Sequence, residues 1–435
     1  MKNINNYVNF ILFLLNTIFI FSSELIRYIY SNDYDLLINN LTLRLSKLNI
    51  LYVKIFQAFA LNNNLIDEKI NQKLLDFTDN VPWKKSDIDL NTINEITNKY
   101  NLHITNYSPK NAGMISLVFF GYDNENKKKI IIKIKRKNIQ EKLDISINNL
   151  LLLIYLLSFI PIVNTYKFKE LIYTNIELIR QQTNFIKEVK NMNEMKENCK
   201  KLKYIIIPKV NEIITKEYNN VIVMEYIEGL KINQINNLDC YGFAKSILKF
   251  GIITCVIHGF SHGDLHCGNI LFIKDENDQK YPYKLGILDF GVVIKISENY
   301  KILLFELLTQ LFTLKPREIA EKILNSDIIE PKGILKKIPL YLYHDILNVI
   351  EEIISDCLYI PNNASQEHIY KALSKCSVFL KNKNISNLNI KLCDDFVKAQ
   401  LVLAMTQGVT LTLCNGNFIS LIDEVITELF IPLHI

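Results

Sequence analysis

Three oxygen-bearing side chains at a fixed spacing are the residues best suited to chemistry in this sequence. Asp264 and Asn269 stand five positions apart in the segment Gly259–Phe272, and Asp289 opens an Asp-Phe-Gly triplet twenty positions after Asn269. In phosphoryl transfer, such an Asp orients or deprotonates the attacking hydroxyl, while the Asn and the second Asp hold metal ions on the phosphates. The spacing therefore predicts Asp264 as a catalytic residue and Asn269 and Asp289 as metal ligands.

The metal predicted at these side chains is Mg²⁺, which prefers carboxylate, amide and phosphate oxygens. His262 and His266 flank Asp264, and taken in isolation all three are alternative metal ligands. A helix or turn cap is the other alternative for Asp264. The Gly-Asn-Ile-Leu run that follows at 268–271 favours one phosphotransfer loop instead. We therefore interpret both histidines as interior, hydrogen-bonded residues that hold this loop.

A lysine within an apolar run is predicted to place positive charge on the phosphates of ATP. Lys133 interrupts the Ile-rich run 130–134, where burial of an unpaired ammonium would be costly. An edge-strand lysine that faces water is the alternative. In kinases a glutamate on a helix orients this lysine. We predict Glu188 for that role, with Glu194 and Glu197 as nearby alternatives.

The segment before the Lys133 strand lacks the Gly-x-Gly-x-x-Gly loop that covers phosphates in protein kinases. Pro109-Lys-Asn-Ala-Gly-Met114 stands there, with a single glycine. Backbone N–H groups of such a loop are still able to bind phosphate. Ala112 and Gly113 are thus predicted to bind the nucleotide, and a plain turn before a strand is the alternative.

The elements that position these residues follow from the spacing of apolar side chains. Runs at 115–122 and 129–134 around the polar turn 123–126 predict a β-hairpin. The spacing also predicts helices over most of the first hundred residues, a strand at 221–226, one long helix at 239–259, strands at 269–273 and 285–288, and helices beyond residue 299.

Two apolar runs, 8–21 and 150–163, raise the question of a membrane. Both are shorter than the roughly 20 residues that a transmembrane helix needs. For the first run, a membrane-associated or signal-anchor helix remains an alternative to a core helix. The second is predicted to be a buried helix, because the motifs on both sides of it belong to one soluble domain.

Composition narrows the classes of partner. The 435 residues carry a net charge of +5, which is too small an excess to indicate a nucleic-acid partner. The eight cysteines are scattered without Cys-x-x-Cys pairs. They predict neither a zinc site nor a disulfide framework, so a reducing intracellular compartment is expected.

Together these motifs resemble the UbiB/ADCK family of atypical kinases, also called aarF-domain kinases, over residues 40–293. The run 130–134 is similar to the family's Val-Ala-Val-Lys-Val strand. Residues 182–191 are similar to its Glu-Leu-Asp-Phe-x-x-Glu-Ala-x-Asn helix, which gives Glu188 its role. Residues 262–269 match its His-x-Asp-x-His-x-Gly-Asn loop, with Leu265 and Cys267 where prolines are usual.

Three further motifs extend the resemblance. The family's Lys-x-Gly-Gln motif corresponds to Lys54-Ile-Phe-Gln57, with Phe in place of Gly, and its Ala-rich loop to 111–114, where one Ala remains. The family's hinge corresponds to 223–229, which assigns Glu225 and Tyr226 to nucleotide binding. The resemblance implies that Lys54 and Gln57 point into the cleft and gate substrate access.

The resemblance implies an α+β, two-lobed protein-kinase-like fold that binds ATP and Mg²⁺. Its expected parts are a hydrophobic N-terminal helix at 1–35, with a membrane anchor as one reading, a helical N-terminal extension at 36–105, a small β-rich N-lobe at 106–229 and a helical C-lobe at 230–435. The extension would cover the peptide-substrate site, so protein phosphorylation is not expected. The implied function is an ATPase or kinase of isoprenoid-quinone or lipid metabolism at a membrane.

Two other functions fit parts of the pattern. Aminoglycoside and choline kinases share the His-Gly-Asp-Leu-His-x-Gly-Asn-Ile-Leu string, but they lack a helical Lys-x-x-Gln extension before the first strand. A pseudokinase scaffold is the non-enzymatic alternative. The presence of Lys133, Asp264, Asn269 and Asp289 argues against it, because a decayed site usually loses one of these charged or metal-binding groups.

Overall fold

The chain forms two units, and each contains two separate stretches of sequence: Met1–Asn191 with Pro208–Tyr226, and Met192–Ile207 with Ile227–Ile435. The computed structural model describes residues 2–52, 81–157, 176, 179–310, 313–326, 328–358, 391–414 and 418–430. Residues 192–207 group with the second unit because Ile205 and Ile206 pair with a strand of that unit. The lobe bounds 106–229 and 230–435 stay a prediction.

Two helices begin the first unit, α1 (Lys2–Ser31) and α2 (Tyr34–Leu48). Asp33 is the N-cap of α2, since its side chain accepts a hydrogen bond from the Leu36 N–H. One side of α1 packs against α2, and the opposite side is exposed. The packed cluster contains Phe13, Ile20, Leu45 and Tyr52. The exposed apolar side chains include Leu15, Phe19 and Ile26.

The next elements are α3 (Leu90–Lys99), β1 (Leu102–Ile104), β2 (Asn111–Ala112), β3 (Ser116–Asp123) and β4 (Lys128–Lys135). The predicted hairpin is confirmed, because β3 and β4 pair antiparallel along their whole lengths. Asp123 closes their turn by accepting hydrogen bonds from the N–H groups of Glu125 and Asn126.

The first unit continues with α4 (Ile139–Leu157) and the start of α5 (Phe185–Asn198). The strand β5 (Ile205–Ile206) belongs to the second unit, and the chain then returns to the first unit with α6 (Glu212–Glu217) and β6 (Val221–Glu225). Its sheet has the order β1-β3-β4-β6, with β2 paired to β3. Side chains at alternate positions of β3 and β4 point to one face of the sheet, where they form one core cluster with Ile93 and Ile96 of α3. These members are Leu117, Phe119, Ile132 and Ile134.

Residues 158–163 of the predicted buried helix lie outside the described residues, and the part that ends at Leu157 is buried on one face. Only one face of α4 packs, through Leu143, Ile147 and Leu150 at helical spacing. Tyr155 and Leu156 on the remaining surface are exposed. The run has apolar residues on every side of the helix, but the helix packs against the rest of the first unit on one side.

The second unit positions the loops that carry Asp264 and Asp289. Its elements here are α7 (Cys240–Ile252), β7 (Phe260–His262), β8 (Ile270–Lys274), β9 (Tyr283–Ile287) and β10 (Val293–Lys295). One sheet has the order β5-β9-β8, and β10 pairs with β7. The predicted single helix at 239–259 is corrected: α7 is followed by a π-helical turn, Ile253–Ile257, in which the His258 N–H reaches back five residues to the Ile253 carbonyl.

Helices with one short strand pair form the rest of the described chain. They are α8 (Glu298–Gln310), α9 (Pro316–Asn325), β11 (Ile329–Glu330), α10 (Leu340–Leu358), β12 (Lys391–Leu392), α11 (Asp394–Leu411) and α12 (Phe418–Phe430). α11 and α12 both contact α7. An antiparallel sheet in one unit and mostly helices in the other confirm the α+β prediction.

Within the described residues, two helices are long and apolar enough to cross a membrane. Val8–Ser31 has a mean hydropathy of 1.8 and is 28% buried, while Cys240–Ile257 has a mean hydropathy of 1.5 and is 61% buried. The second is a core helix of its unit, because more than half of it is buried. The first leaves most of its apolar surface exposed.

Candidate functional site

Lys133 and Glu188 form a buried ion pair in the first unit. Lys133 lies in the middle of β4, between Val118 of β3 and Ile222 of β6, and its Nζ atom is 2.7 Å from Glu188 Oε1. The side chains are 8% and 1% exposed. An ammonium and a carboxylate this deeply buried need each other, because either alone would lose its hydration without compensation.

The helix α5 places Glu188 against the strand. Glu188 lies in the first turn of α5, where its N–H donates to the Asn184 carbonyl, and a carboxylate is favourable at this end of a helix. Phe185, one turn earlier, packs its ring 5.4 Å from Lys133 Nζ. The two alternative glutamates contact other lysines: Glu194 contacts Lys295, and Glu197 contacts Lys200.

A second lysine that we had not predicted lies on the same face of β4. Lys135 is half-buried, and its Nζ atom is 5.0 Å from the centre of the Phe185 ring. Burial lowers the pKa of Lys135, and the charge of Glu188 opposes that shift. The spacing of Lys133 and Lys135 by two positions in a strand was the available signal, since alternate residues share a face.

The segment that stands in place of a glycine-rich loop is held by its own backbone. The Gly113 N–H donates to the Ser116 carbonyl at 2.9 Å, and the Ala112 N–H lies 2.8 Å from Asn111 Oδ1. The Ala112 carbonyl accepts from the Val81 N–H at 2.9 Å. Both N–H groups that we predicted to bind phosphate already have acceptors in this conformation.

Glu225 ends β6 in the first unit, and Tyr226 follows it; both were predicted to bind nucleotide. The Tyr226 N–H donates to the Lys129 carbonyl, and the Glu225 N–H donates to the Lys209 carbonyl. Lys110 Nζ lies 4.5 Å from the centre of the Tyr226 ring and 3.2 Å from its hydroxyl. The Tyr226 side chain is thus engaged by a cation from the loop before β2.

His262 joins the loop of Asp264 to the segment before Asp289 in the second unit. Its Nδ1 accepts the Asp264 N–H at 3.1 Å, so the neutral ring carries its proton on Nε2 and donates it to the Leu288 carbonyl at 3.0 Å. Burial lowers the pKa of His262, which favours this neutral form. The interpretation of His262 as an interior, loop-holding histidine is confirmed.

Asn269 is oriented by the same loop. Its Nδ2 donates to the Asp264 carbonyl at 2.9 Å and lies 3.1 Å from His266 Nε2, which directs Oδ1 away from these two groups. Its backbone carbonyl accepts from the Leu288 N–H at 2.9 Å. The hydrogen bonds therefore connect Asp264, Asn269 and the residue before Asp289.

Asp289 adopts a left-handed backbone conformation, with φ of 55°. Such angles are uncommon outside glycine, although Asp tolerates them better than most residues, and they concentrate at functional sites. Its Oδ1 accepts from the Gly291 N–H at 3.1 Å. The following Phe290 is wholly buried, with its ring centre 5.3 Å from that of His262.

These side chains fit the magnesium that we predicted. Asp289 and Asn269 offer a carboxylate and an amide oxygen, the donors that Mg²⁺ takes. In the described part of the chain, no three His, Cys, Asp or Glu side chains form a group able to hold a metal. A site of one Asp and one Asn suits a cation that takes further oxygens from phosphate and water rather than from a protein cage.

The predicted residues are divided between the two units. Lys133, Glu188, the 111–116 loop and the hinge belong to the first, whereas Asp264, Asn269 and Asp289 belong to the second. Lys54 and Gln57 lie outside the described residues. Their gating role stays a prediction.

Comparison with known proteins identifies the family of kinase-like proteins to which the sequence is similar. The family model for the ABC1 atypical kinase-like domain matches residues 87–323, more than half of the chain. The chloroplastic protein Activity of BC1 Complex Kinase 8 from Arabidopsis thaliana is 24% identical over 65% of this chain and 37% of its own length. The probable protein kinase UbiB from Shewanella woodyi is 25% identical over 67% of this chain and 54% of its own length.

The chain spans about a third to about half of the length of these curated relatives. Among solved structures, Rv3197 from Mycobacterium tuberculosis in complex with erythromycin is similar with a TM-score of 0.47. That similarity covers 86% of this chain and 90% of the other at 14% identity.

Proposed function

Because the chain belongs to the ABC1 atypical kinase-like family, we propose that it binds Mg²⁺-ATP and catalyses phosphoryl chemistry as an ATPase or small-molecule kinase. The observation that carries the proposal is the buried ion pair of Lys133 and Glu188, with 2.7 Å between Nζ and Oε1. Apolar residues of similar volume would stabilise such a position equally well or better. The charged pair is therefore explained by function: the positive charge of Lys133 binds the phosphates of the nucleotide.

The proposed roles combine the sequence motifs with the contacts of the residues that carry them. Lys133, oriented by Glu188, binds the phosphates, and Asp264 accepts the proton of the attacking hydroxyl or water. Asn269 and Asp289 hold Mg²⁺, which when bound neutralises the charge of the phosphates. His262 keeps Asp264 in place, because its ring accepts the Asp264 N–H and donates to Leu288.

We further propose that the substrate belongs to isoprenoid-quinone or other lipid metabolism and is met at a membrane. The proposal is supported by the exposed apolar side of α1, which includes Leu15, Phe19 and Ile26. It also agrees with the similarity to proteins named UbiB. Protein substrates are not proposed, because Lys54 and Gln57 belong to a motif that covers the peptide site in similar kinases.

One observation favours a second candidate, a pseudokinase scaffold. The N–H groups of Ala112 and Gly113 already have acceptors in Asn111 and Ser116. A loop whose N–H groups are satisfied offers less to a phosphate than a free glycine-rich loop does. The scaffold would keep the fold and its partners and lack turnover.

Thermal unfolding with and without ligand tests the proposal. A ligand that binds the folded state raises the free energy of unfolding by about 2.7 kcal/mol at a hundredfold excess over Kd. We expect Mg²⁺-ATP and Mg²⁺-ADP to raise the Tm of the wild-type protein and to lose this effect in Asp289→Asn. Lys200→Ala removes an exposed lysine and is expected to keep the wild-type shift.

The role of Lys133 is tested with a double variant, in which its partner Glu188 is replaced as well. Lys133→Met alone would leave the Glu188 carboxylate buried without its cation, so Lys133→Met/Glu188→Leu separates loss of binding from loss of fold. We expect the double variant to fold without a nucleotide shift. A folded wild-type protein with no shift, and no ATP hydrolysis in the presence of lipid and detergent, would favour the scaffold.

A further inference from the structure

Arg136, directly after β4, binds two segments of the first unit to each other. Its side chain is 4% exposed. Nε and Nη2 donate to the Gly113 carbonyl at 3.0 and 2.8 Å, and Nη2 also reaches the Val81 carbonyl at 3.2 Å. Nη1 donates to the Pro82 carbonyl at 2.9 Å and to Asp87 Oδ2 at 3.0 Å.

The backbone reinforces this arrangement on both sides. The Arg136 N–H donates to the Ile115 carbonyl at 2.9 Å, and the Val81 N–H donates to the Ala112 carbonyl at 2.9 Å. The loop 111–116 is therefore held at three of its carbonyls, of residues 112, 113 and 115. The segment 81–87 is held at two carbonyls and one carboxylate.

We propose that Arg136 is a positioning residue that sets the conformation of the 111–116 loop, and through that loop the affinity for nucleotide. The effect on affinity rests on the proposed function. The effect on the loop does not, since it depends only on contacts within the first unit. Neither the motifs nor the similarity to other proteins had marked this residue.

The contacts require an arginine. A planar guanidinium directs its donors along several fixed directions at once, whereas a lysine ammonium is a compact charge at the end of a flexible stem. Arg136→Lys therefore keeps the charge beside Asp87 but is unable to reach Gly113, Val81 and Pro82 together. The loop carbonyl at Gly113 is expected to lose its anchor.

Lys142 supplies a matched control. Its Nζ donates to Asp87 Oδ1 at 2.9 Å, so it shares the acceptor of Arg136. It lies on α4, its side chain is 50% exposed, and it contacts neither Gly113 nor Val81 in the way that Arg136 does. Lys142→Met removes a charge from the same carboxylate and leaves the Gly113 anchor in place.

The test combines amide hydrogen exchange with nucleotide affinity in the full chain. In Arg136→Lys we expect faster exchange in a peptide covering 110–118, where the Gly113 N–H is bonded to Ser116, and a Kd for Mg²⁺-ATP raised about tenfold. In Lys142→Met we expect a lower Tm with wild-type exchange in that peptide and wild-type affinity. A purely structural role of Arg136 would lower Tm alone.

The outcomes separate the two proposals. Wild-type exchange of 110–118 in a folded Arg136→Lys protein overturns the positioning role, whatever the nucleotide result. Faster exchange with unchanged affinity overturns the link to the nucleotide. If the wild-type protein binds no Mg²⁺-ATP, the proposed function fails, and the exchange comparison still decides whether Arg136 holds the loop.

A variant is available should Arg136→Lys not fold. Asp87→Asn keeps the guanidinium bonds to the three carbonyls and removes the charge that orients it. It is expected to accelerate exchange of 110–118 to a smaller degree, and unchanged exchange there counts against the proposal.

Discussion

The stability of the Asp264 loop depends on a histidine that must stay neutral. Burial lowers the pKa of His262 from its usual value of 6.5, and the nearby His266 adds to the shift. The Leu288 carbonyl and the carboxylates of Asp264 and Asp289 oppose it. Since Nδ1 accepts the Asp264 N–H, protonation of the ring would break the contact that orients the candidate catalytic residue.

A pH dependence of stability follows with a defined sign. In the unfolded chain His262 binds its proton near pH 6.5, and in the folded chain only at lower pH. The free energy of unfolding must therefore fall as pH decreases from about 6.5 toward the folded pKa. We expect denaturant unfolding of the wild-type protein at about pH 5 and about pH 7.5 to show this loss, and His262→Gln to show less of it.

Two other histidines must be considered in this test, one as a second source of pH dependence and one as a control. Burial and the charge of Lys301 also lower the pKa of His258, so His262→Gln should reduce the pH dependence without abolishing it. His103→Gln removes an exposed imidazole and serves as control. Equal pH dependence in the wild-type protein and His262→Gln would contradict the role assigned to this ring.

Candidate site residues could be named from the sequence where chemistry restricts the residue type. Asp264, Asn269 and Asp289 stood out by spacing, and Lys133 by its apolar surroundings. The partner of Lys133 remained open among three glutamates of one helix, because spacing alone does not say which turn of a helix faces a strand. The contact of Glu188 with Lys133 depends on how α5 packs.

At the scale of elements, the predicted hairpin was confirmed because two runs rich in β-branched and aromatic residues flank a polar turn that Asp123 closes. Arg136 was not predicted, since its partners are backbone carbonyls, which have no sequence signal. The π-helical turn after α7 was not predicted either, because a buried α-helix and a buried π-turn require the same apolar residues.

The close contact of α7 with α11 gives a prediction at this scale. A Cβ atom on Gly251 would lie 2.3 Å from Cγ2 and Oγ1 of Thr406. The two helices therefore need a glycine at their contact, one residue before the end of α7. We expect Gly251→Ala to lower the free energy of unfolding by about 1–3 kcal/mol, as overpacking does.

A double-mutant cycle in denaturant checks this contact. Thr406→Ala removes the two atoms that the new methyl group would meet at 2.3 Å, so Gly251→Ala should cost less in that background. Gly333→Ala, at a glycine with no neighbour within 4 Å but a positive φ, separates backbone strain from overpacking. Additive effects of Gly251→Ala and Thr406→Ala would show that the helices do not restrict each other here.

At the scale of the whole molecule, the exposed side of α1 is the surface on which the proposed membrane contact depends. Leu15, Phe19 and Ile26 are 59%, 63% and 55% exposed and share one face of the helix. Glu24, on the packed side, is wholly buried and accepts hydrogen bonds from Arg44 and Asn40 of α2. The apolar side thus lies opposite Glu24, although the Phe19 ring at its border also contacts Arg44, whose Cζ atom is 5.6 Å from the ring centre.

Vesicle binding tests this surface. We expect the wild-type protein to sediment with vesicles of neutral and anionic phospholipid, and the triple variant Leu15→Ser/Phe19→Ser/Ile26→Ser to remain in the supernatant. The reason is that burial of each large apolar side chain contributes about 1.5–3 kcal/mol, whereas serine contributes almost nothing. Circular dichroism should match the wild type because all three side chains are exposed, and the Tm should fall only slightly, by the loss of the contact between Phe19 and Arg44.

A second triple variant controls for hydrophobicity in general. Ile213, Leu340 and Val397 are also exposed apolar residues, at 69%, 71% and 52%, but they lie on three separate helices, α6, α10 and α11. Their replacement by serine removes similar apolar surface and should leave vesicle binding intact. If both triple variants lose binding equally, attachment reflects total surface hydrophobicity. If neither does, α1 is not the membrane contact, and its exposed side must instead be covered by protein.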